Sequence, residues 1–141
     1  MSSALKIGEL AARLNVPVET IRYYERESLL PSPARTSGNY RLYDHAAVER
    51  LTFIRNCRTL GITLEEVRAL LRAKDSPDAE CGSVNRLVDT QIARIDVNIA
   101  ELERLKSSLQ ALRERCGPAR HTRDCGILNE LTHEHDPRSP C

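Results

Sequence analysis

Two short helical segments separated by a tight turn decide the fold of the N-terminal part of this chain. The first, Ile7-Gly8-Glu9-Leu10-Ala11-Ala12-Arg13-Leu14, carries its apolar residues at the i, i+3, i+4, i+7 spacing of one helix face. The second, Pro17-Val18-Glu19-Thr20-Ile21-Arg22-Tyr23-Tyr24-Glu25-Arg26-Glu27-Ser28, opens on a proline, which suits the first position of a helix. The pair predicts a helix-turn-helix. Because many small helical domains contain such a pair, the flanking segments have to support it.

The segments that follow predict a wing and two more helices. Leu30-Pro31-Ser32-Pro33 ends the second helix, because proline cannot continue it. Arg35-Thr36-Ser37-Gly38-Asn39-Tyr40-Arg41-Leu42-Tyr43 joins turn chemistry to residues with strand propensity, which predicts a small hairpin, or wing. Asp44 can cap a helix over about 45–60, and Thr63-Leu64-Glu65-Glu66 is a capping box that opens another helix to about Ala73. Residues 75–78 then close the first domain.

A single long helix is predicted from Cys81 to Cys116, since this stretch contains no proline and no glycine after Gly82. Its apolar residues fall on alternating four- and three-residue steps, which is the heptad pattern of a coiled coil. They are Val88, Ile92, Ile95, Ile99, Leu102 and Leu109. Asn85 and Lys106 also fall on this seam and would help to set its register. A helix with one apolar stripe has no core of its own, so the pattern predicts a partner helix in a homodimer.

Three cysteines at the ends of this helix predict a metal site. Cys81 and Cys116 are 35 residues, or five heptads, apart, so both take d positions at opposite ends of a helix roughly 50 Å long. In an antiparallel dimer Cys81 of one subunit would meet Cys116 of its mate, and Cys125 can fold back to the same point across a Gly-Pro loop. We therefore predict two three-thiolate sites, one at each end of a twofold dimer. Such sites select Cd²⁺, Pb²⁺, Hg²⁺ or Zn²⁺, with water, His121 or a backbone oxygen as the fourth ligand.

Other interpretations of the thiols stay open. A cysteine at a d position is often a small buried hydrophobe, and this applies to Cys81 and Cys116. Cys57, inside a predicted helix and far from the other cysteines in sequence, is predicted to be buried. A further group of donors could bind metal weakly, although we favour a solvated tail: His133, His135 and Cys141. A thiol redox sensor or a metal-buffering protein is the alternative from another class, but the sequence offers no Cys-x-x-Cys pair.

Composition and charge narrow the function classes. The 141 residues carry a formal net charge of +1, but residues 1–75 hold 12 basic and 9 acidic groups and residues 76–141 hold 9 and 11. All five aromatic residues lie in the basic half, and 18 of the 21 basic residues are arginine, which favours phosphate and guanine contacts. No apolar run approaches a membrane span and no signal peptide is visible, so we expect a cytoplasmic protein without membrane contact. No phosphate loop, Ser/His/Asp series or catalytic carboxylate pair is present, which argues against an enzyme.

Three strings together resemble the MerR family of metal-responsive transcriptional regulators, and the likeness covers nearly the whole chain. They are Ile7-Gly8-Glu9-Leu10-Ala11, Val18-Glu19-Thr20-Ile21-Arg22-Tyr23-Tyr24-Glu25 and Asn39-Tyr40-Arg41-Leu42-Tyr43. Asp78-Ala79-Glu80-Cys81-Gly82-Ser83-Val84-Asn85 and Cys125-Gly126-Ile127-Leu128 are most similar to the cadmium- and lead-responsive branch. Copper sensors of the family lack a thiol where Cys81 stands. The zinc-responsive branch typically carries paired cysteines where this chain has only Cys116 followed by Gly117.

The resemblance implies a homodimer on a palindromic promoter operator, with the second helix of each winged domain in the major groove. It further implies repression without metal and, when metal binds, activation of RNA polymerase at the promoter by distortion of the double-stranded DNA. The residues that it assigns to DNA contact are Thr20, Arg22 and Tyr23 on that helix, Tyr40 and Arg41 on the wing, and Arg55 and Arg58, for phosphate, on the next helix. Phosphate contacts set register and affinity, whereas base contacts set sequence preference.

The predicted chain is mostly α and has four parts. Residues 1–75 form a winged helix-turn-helix DNA-binding domain and 76–116 a linker and antiparallel coiled-coil dimerisation helix. Residues 117–132 form a metal-binding loop with a short helix, and 133–141 a flexible tail. The predicted function is a transcriptional activator of metal-resistance genes that responds to Cd²⁺ or Pb²⁺, with Zn²⁺ or Hg²⁺ as the alternative effector. The predicted metal ligands are Cys81, Cys116 and Cys125.

Overall fold

The computed structural model describes residues 4–32, 42–117 and 121–134. Its elements in chain order are β1 (Leu5–Lys6), α1 (Ile7–Leu14), α2 (Val18–Arg26), β2 (Leu42–Tyr43), α3 (His45–Thr59), α4 (Leu64–Lys74), α5 (Gly82–Glu114), a 3-10 turn (Thr122–Asp124) and α6 (Gly126–Leu131). The predicted mostly α fold is confirmed. The chain divides between Leu87 and Val88 into two compact units.

The predicted helix-turn-helix forms from α1 and α2. α1 ends at Leu14, and the capping residue Asn15 takes a left-handed backbone conformation with a φ of 54°. Asparagine tolerates this conformation better than most residues, because its short polar side chain can hydrogen-bond locally. Leu10 and Leu14 of α1 are buried together with Ile21 and Tyr24 of α2. The apolar faces of the two helices thus contribute to one core.

A short sheet joins the N-terminal segment to the residues before α3. β1 and β2 pair antiparallel, with Leu5 opposite Tyr43 and Lys6 opposite Leu42. The strand character predicted for Leu42–Tyr43 is therefore present, but β1 was not predicted, because a two-residue strand has no periodicity. The rest of the predicted wing, residues 35–41, lies outside the described residues. The buried Tyr43 donates its hydroxyl hydrogen bond to the carboxylate of Glu25, which ties the sheet to α2.

Both predicted caps begin their helices. Asp44 accepts a hydrogen bond from the backbone N–H of Ala47 at 2.9 Å and starts α3. Thr63 and Glu66 form a reciprocal capping box, in which each side chain bonds to the backbone N–H of the other residue, and they start α4. These signals are local in sequence, so the observed ends of α3 and α4 lie within one residue of the predicted ones.

The core of the first unit is built from apolar side chains of α1 to α4 and β2. The side chains with no exposed surface include Leu10, Ile21, Tyr43, Leu51, Ile54 and Val67. Cys57 on α3 belongs to the same core and is 7% exposed, so its predicted burial is confirmed. Burial raises the pKa of its thiol, because the charged thiolate loses solvation. Cys57 is therefore an inert structural residue.

α5 contains no buried residue along its 33 residues. Its first turns support the core of the first unit, since Val84 and Leu87 pack against that core. Beyond them the predicted apolar stripe lies on the surface of the single chain. Its members are 43–65% exposed: Val88, Ile92, Ile95, Ile99, Leu102 and Leu109. Among the described residues, no helix combines the length and the apolar character that crossing a bilayer requires.

Candidate DNA interface and metal centre

α2 exposes two of its three predicted DNA-contacting residues, Arg22 and Tyr23, on the side away from the buried Ile21 and Tyr24. The side chain of Arg22 is 51% exposed and lies 3.7 Å from the carboxylate of Glu19, one turn away. Tyr23 is 38% exposed, and the guanidinium of Arg26 lies 5.9 Å from the centre of its ring. Thr20 is half-buried on the same helix. These groups supply the hydrogen-bond donors and cations that contacts to bases and phosphates require.

The other predicted DNA contacts are divided between described and undescribed residues. Tyr40 and Arg41 lie outside the described residues. The guanidinium of Arg55 donates to the carbonyl of Leu14, the last residue of α1, at 3.2 Å. That of Arg58 donates to the carbonyl of Ile62 at 2.8 Å. Each of the two arginines therefore supports the fold, and a guanidinium with five donors still has hydrogen-bonding capacity for phosphate.

Two further arginines hold the turn after α2 and were missed from the sequence. Arg50 donates to the carbonyl of Leu29 at 2.8 Å and lies 3.5 Å from the carboxylate of Asp75. Arg68 lies 3.3 Å from the carboxylate of Glu27. These pairs join residues 21 to 41 positions apart, so no local pattern could have predicted them. Their effect is to position the end of α2 against α3 and α4.

Cys81, the first predicted metal ligand, immediately precedes α5. Its side chain is exposed, and its carbonyl accepts the backbone N–H of Asn85 at 3.0 Å. The helix therefore fixes the backbone of Cys81 while the thiol stays accessible to solvent. A thiol has to be accessible in order to bind a metal ion that is shared with another molecule.

The other two predicted ligands meet at the far end of α5. Past Cys116 the chain returns, so that Gly126 packs on the backbone of Arg115. A Cβ at Gly126 would lie 2.3 Å from the carbonyl oxygen of Arg115, which makes glycine necessary at this close approach. A salt bridge of 3.3 Å between Arg115 and Glu130 spans the same contact. Cys116 follows Arg115 and Cys125 precedes Gly126, so this contact brings the two cysteines close together.

The position of Cys125 before α6 favours its thiolate. Its pKa lies below the ordinary value, first because the thiol hydrogen-bonds with the backbone of Leu128 and then through the backbone of Ile127 and the thiol of Cys116. Partial desolvation acts in the opposite direction. Because a soft metal binds the thiolate and releases the proton, a lowered pKa favours metal capture at neutral pH.

One chain does not complete a metal site within the described ranges 4–32, 42–117 and 121–134. No group of three histidine, cysteine, aspartate or glutamate side chains comes close enough there to hold an ion. His121, a predicted optional fourth ligand, is exposed beside the 3-10 turn, and His133 is exposed after α6. His135 and Cys141 lie outside the described residues. Cys116 and Cys125 thus form a two-thiol group that needs a further donor.

Comparison with known proteins assigns the chain to a family. The model for MerR HTH family regulatory proteins matches residues 5–74, and the model described as MerR, DNA binding, matches residues 48–112. The two matches together cover the helix-turn-helix, α3, α4 and nearly all of α5.

Individual relatives match over most of their length. The "HTH-type transcriptional regulator ZntR homolog" of Haemophilus influenzae is 44% identical over 111 residues, which cover 79% of this chain and 82% of that protein. The mercuric resistance operon regulatory protein of Bacillus cereus is 40% identical over 126 residues, which cover 89% of this chain and 96% of that protein.

A solved structure agrees in fold and in sequence. The transcription regulator PbrR691 from Ralstonia metallidurans CH34, in complex with lead(II), superposes with a TM-score of 0.79. It is 48% identical and covers 91% of this chain and 99% of that chain. Proteins of this kind are regulators and not enzymes, in agreement with the prediction. The chain belongs to the MerR family and is a DNA-binding, metal-sensing transcriptional regulator.

Proposed function

We propose that this protein is a Cd²⁺- or Pb²⁺-responsive activator that binds its promoter operator as a homodimer. The packing of Gly126 on Arg115, which brings Cys125 close to Cys116, is the observation that carries the proposal. Two thiols held together form two-thirds of a soft-metal site, since thiolates select soft cations over Mg²⁺ and Ca²⁺. One chain thus brings a partly preorganised site to the dimer.

Cys81 of a second copy is the third ligand in this proposal. α5 has 33 residues, and a straight helix of that length is about 50 Å long, which separates Cys81 from Cys116 along one chain. The exposed apolar stripe of α5 favours pairing with the same helix of a second copy. In an antiparallel pair the start of one helix lies beside the end of the other. Each end of the dimer then combines one Cys81 with the Cys116 and Cys125 of its mate.

The three proposed thiolate ligands favour a soft or borderline divalent ion, and one solved relative supports Pb²⁺ in particular. PbrR691, 48% identical, was crystallised with lead(II), and the mercuric resistance regulator of Bacillus cereus is 40% identical. Cd²⁺ and Pb²⁺ are soft or borderline ions, which thiolate donors prefer. Zn²⁺ or Hg²⁺ as effector is the alternative within the same class of regulator.

Metal capture across two subunits gives a physical route to activation. Cys81 lies in the linker between the DNA-binding domain and α5, whereas Cys116 and Cys125 follow α5. An ion that joins them across two subunits therefore favours one arrangement of the dimer. A ligand shifts an equilibrium only by its differential affinity for two states, and a bridging ion supplies that difference. With α2 of each subunit in the major groove, the selected arrangement deforms the operator and allows RNA polymerase to use the promoter.

Metal titration of the reduced full-length dimer on operator DNA tests the effector. We expect Cd²⁺ and Pb²⁺ to activate transcription in vitro at full site occupancy, and Zn²⁺ and Hg²⁺ to activate it less. Cys81→Ser should abolish the response at unchanged DNA affinity, whereas Cys57→Ala, a buried thiol away from the site, should retain it. Equal responses to all four ions would overturn the Cd²⁺/Pb²⁺ assignment, and an intact response in Cys81→Ser would overturn the ligand set.

A mixed dimer tests whether the site spans two subunits. One chain carries Cys81→Ser and the other carries Cys116→Ser together with Cys125→Ser, each with a different affinity tag. A cross-subunit arrangement leaves one end of the heterodimer with all three thiols, so the heterodimer binds one ion tightly while neither parent homodimer does. If the heterodimer binds no better than its parents, the site lies within one subunit.

A further inference from the structure

We infer that Cys116 and Cys125 are a peroxide-sensitive dithiol, which closes into an intrasubunit disulfide and thereby switches off the metal site. The disulfide itself depends only on the geometry of the loop after α5. Its effect on metal sensing rests on the proposed function, because it consumes two of the three proposed ligands.

The backbone on either side of the two cysteines is held close together. Disulfides form when the Cα atoms are about 4.4–6.8 Å apart. Arg115 and Gly126, the neighbours of the two cysteines, lie so close that a Cβ at Gly126 would collide with the carbonyl oxygen of Arg115. The salt bridge between Arg115 and Glu130 spans the same contact. The two cysteines are therefore held near one another before any oxidation.

The remaining described thiols are placed differently. Cys57 is 7% exposed in the core of the first unit, so oxidants and partner thiols are excluded from it. Cys81 is exposed but precedes α5, and the length of that helix separates it from Cys116 along the chain. Cys116 and Cys125 are half-buried, which leaves them accessible to a molecule as small as hydrogen peroxide. Among the described residues, only this pair combines access with an adjacent second thiol.

The chemistry balances with hydrogen peroxide as the oxidant. One sulfur attacks the O–O bond and becomes a sulfenic acid, and the departing oxygen leaves as water. The second sulfur then attacks the sulfenic sulfur and releases a second water as the S–S bond forms. Overall, two thiols lose two electrons and two protons, and one peroxide is reduced to two waters. A thiol reductant reverses the modification by thiol–disulfide exchange.

Peptide mapping of the full-length, metal-free protein tests the disulfide. The protein is treated with hydrogen peroxide in the presence of a chelator, remaining thiols are alkylated, and the digest is analysed without reduction. We expect one cross-linked peptide pair, Cys116 to Cys125, with a mass lower by two hydrogen atoms, and full alkylation of Cys81. Cross-links between chains, sulfinic acid at either position, or two unmodified thiols would overturn the inference.

Two glycine variants provide matched controls for the geometry. Gly126→Ala places a methyl group against the Arg115 carbonyl and should slow disulfide closure, whereas a Cβ at Gly117 meets nothing within 4 Å, so Gly117→Ala should not. Equal closure rates in both variants would count against preorganisation by the loop.

A metal-binding measurement separates this inference from the proposed function. Oxidised protein should lose Cd²⁺ binding and regain it after reduction and removal of the reductant. A disulfide that forms without loss of Cd²⁺ binding supports the oxidation step but overturns the ligand set. Conversely, Cd²⁺ binding that depends on Cys116 and Cys125 without any disulfide under peroxide supports the ligand set and overturns the inference.

Discussion

The two units of this chain differ in how they use apolar residues. Every buried apolar side chain among the described residues lies within residues 1–87, and Leu51 and Ile54 of α3 have no exposed surface. Among the described residues from 88 onward, no residue is buried, and Leu102 and Leu109 are each 65% exposed. The first unit therefore has a core of its own, whereas the second displays the apolar surface that a second chain would cover.

This difference suggests a division of work within the regulator. A domain with its own core can hold α2 rigidly for DNA, because its side chains interlock. A helix whose apolar surface is covered only by a second subunit can transmit metal binding at one end of the dimer to that subunit. Variants that disturb one unit and spare the other test this division.

Replacing a residue of the α5 stripe should dissociate the dimer. Leu102→Lys removes a leucine from the proposed seam in both subunits, and at 1.5–3 kcal/mol each the dimer loses about 3–6 kcal/mol. The dissociation constant should rise by about two to four orders of magnitude. Analytical ultracentrifugation measures it. Val97→Lys is the control. Val97 is 57% exposed on the same helix, against 65% for Leu102. It lies two positions after Ile95, a residue of the seam, and therefore points away from the seam. Equal dissociation in both variants would contradict the seam.

A cavity in the first unit should destabilise it without involving the partner. Leu51→Ala should lower the free energy of unfolding by about 2–5 kcal/mol, because Leu51 has no exposed surface. Urea denaturation followed by circular dichroism measures the change. Leu60→Ala is the matched control: Leu60 is 65% exposed at the end of α3, so its loss should cost no more than about 0.5 kcal/mol. Similar losses in the two variants would argue against a self-sufficient core.

A methyl group added where Gly126 packs on Arg115 should weaken metal binding. Gly126→Ala forces the returning loop away from α5 and separates the thiols, and disturbing the support of metal ligands typically costs about 10- to 100-fold in affinity. Competition with a chromophoric chelator measures Cd²⁺ affinity. Gly117→Ala should leave the affinity unchanged, because a Cβ there meets nothing. An unchanged affinity in Gly126→Ala would show that the close approach does not position the ligands.

The smallest expected effect concerns the reactivity of the thiols. The pKa of Cys125 is lowered, so its thiolate fraction and its alkylation rate should rise at a lower pH than in an unstructured cysteine peptide. The pKa of Cys57 is raised by burial, so its reaction should be delayed to higher pH and slowed further by inaccessibility. Iodoacetamide labelling at a series of pH values, resolved by peptide mass, measures both. A Cys125 profile that coincides with the peptide would contradict the lowered pKa.

The helices could be predicted from the sequence because their signals are local. Asp44, Thr63 and Glu66 lie within four residues of the helix starts that they fix, and the heptad pattern predicted α5 to within two residues at its C-terminal end. β1 could not be predicted, because its partner β2 lies 37 residues further along and a two-residue strand carries no pattern. The contacts of Arg55 with Leu14 and of Arg68 with Glu27 were missed for the same reason.

The sequence predicted part of the candidate site. The positions of Cys81, Cys116 and Cys125 predicted a shared set of ligands, and that ligand set stays a prediction. The spacing also indicated that the chain could bring Cys125 back to Cys116, but it did not predict the contacts that hold the two segments together. The close approach of Gly126 to Arg115 and the salt bridge to Glu130 depend on how the loop folds, which no periodicity encodes.

By itself, the sequence determined where the helices begin, which face of each is apolar and where the thiols fall along α5. Those properties depend on residue spacing and on caps a few positions away. Only the tertiary structure decided that β1 pairs with β2, that arginines on α3 and α4 tie down α1 and the turn after α2, and that Gly126 packs on Arg115. Such contacts join residues that are far apart along the chain or are linked by a loop. They stabilise the structure only after the chain has folded, so no local sequence pattern records them.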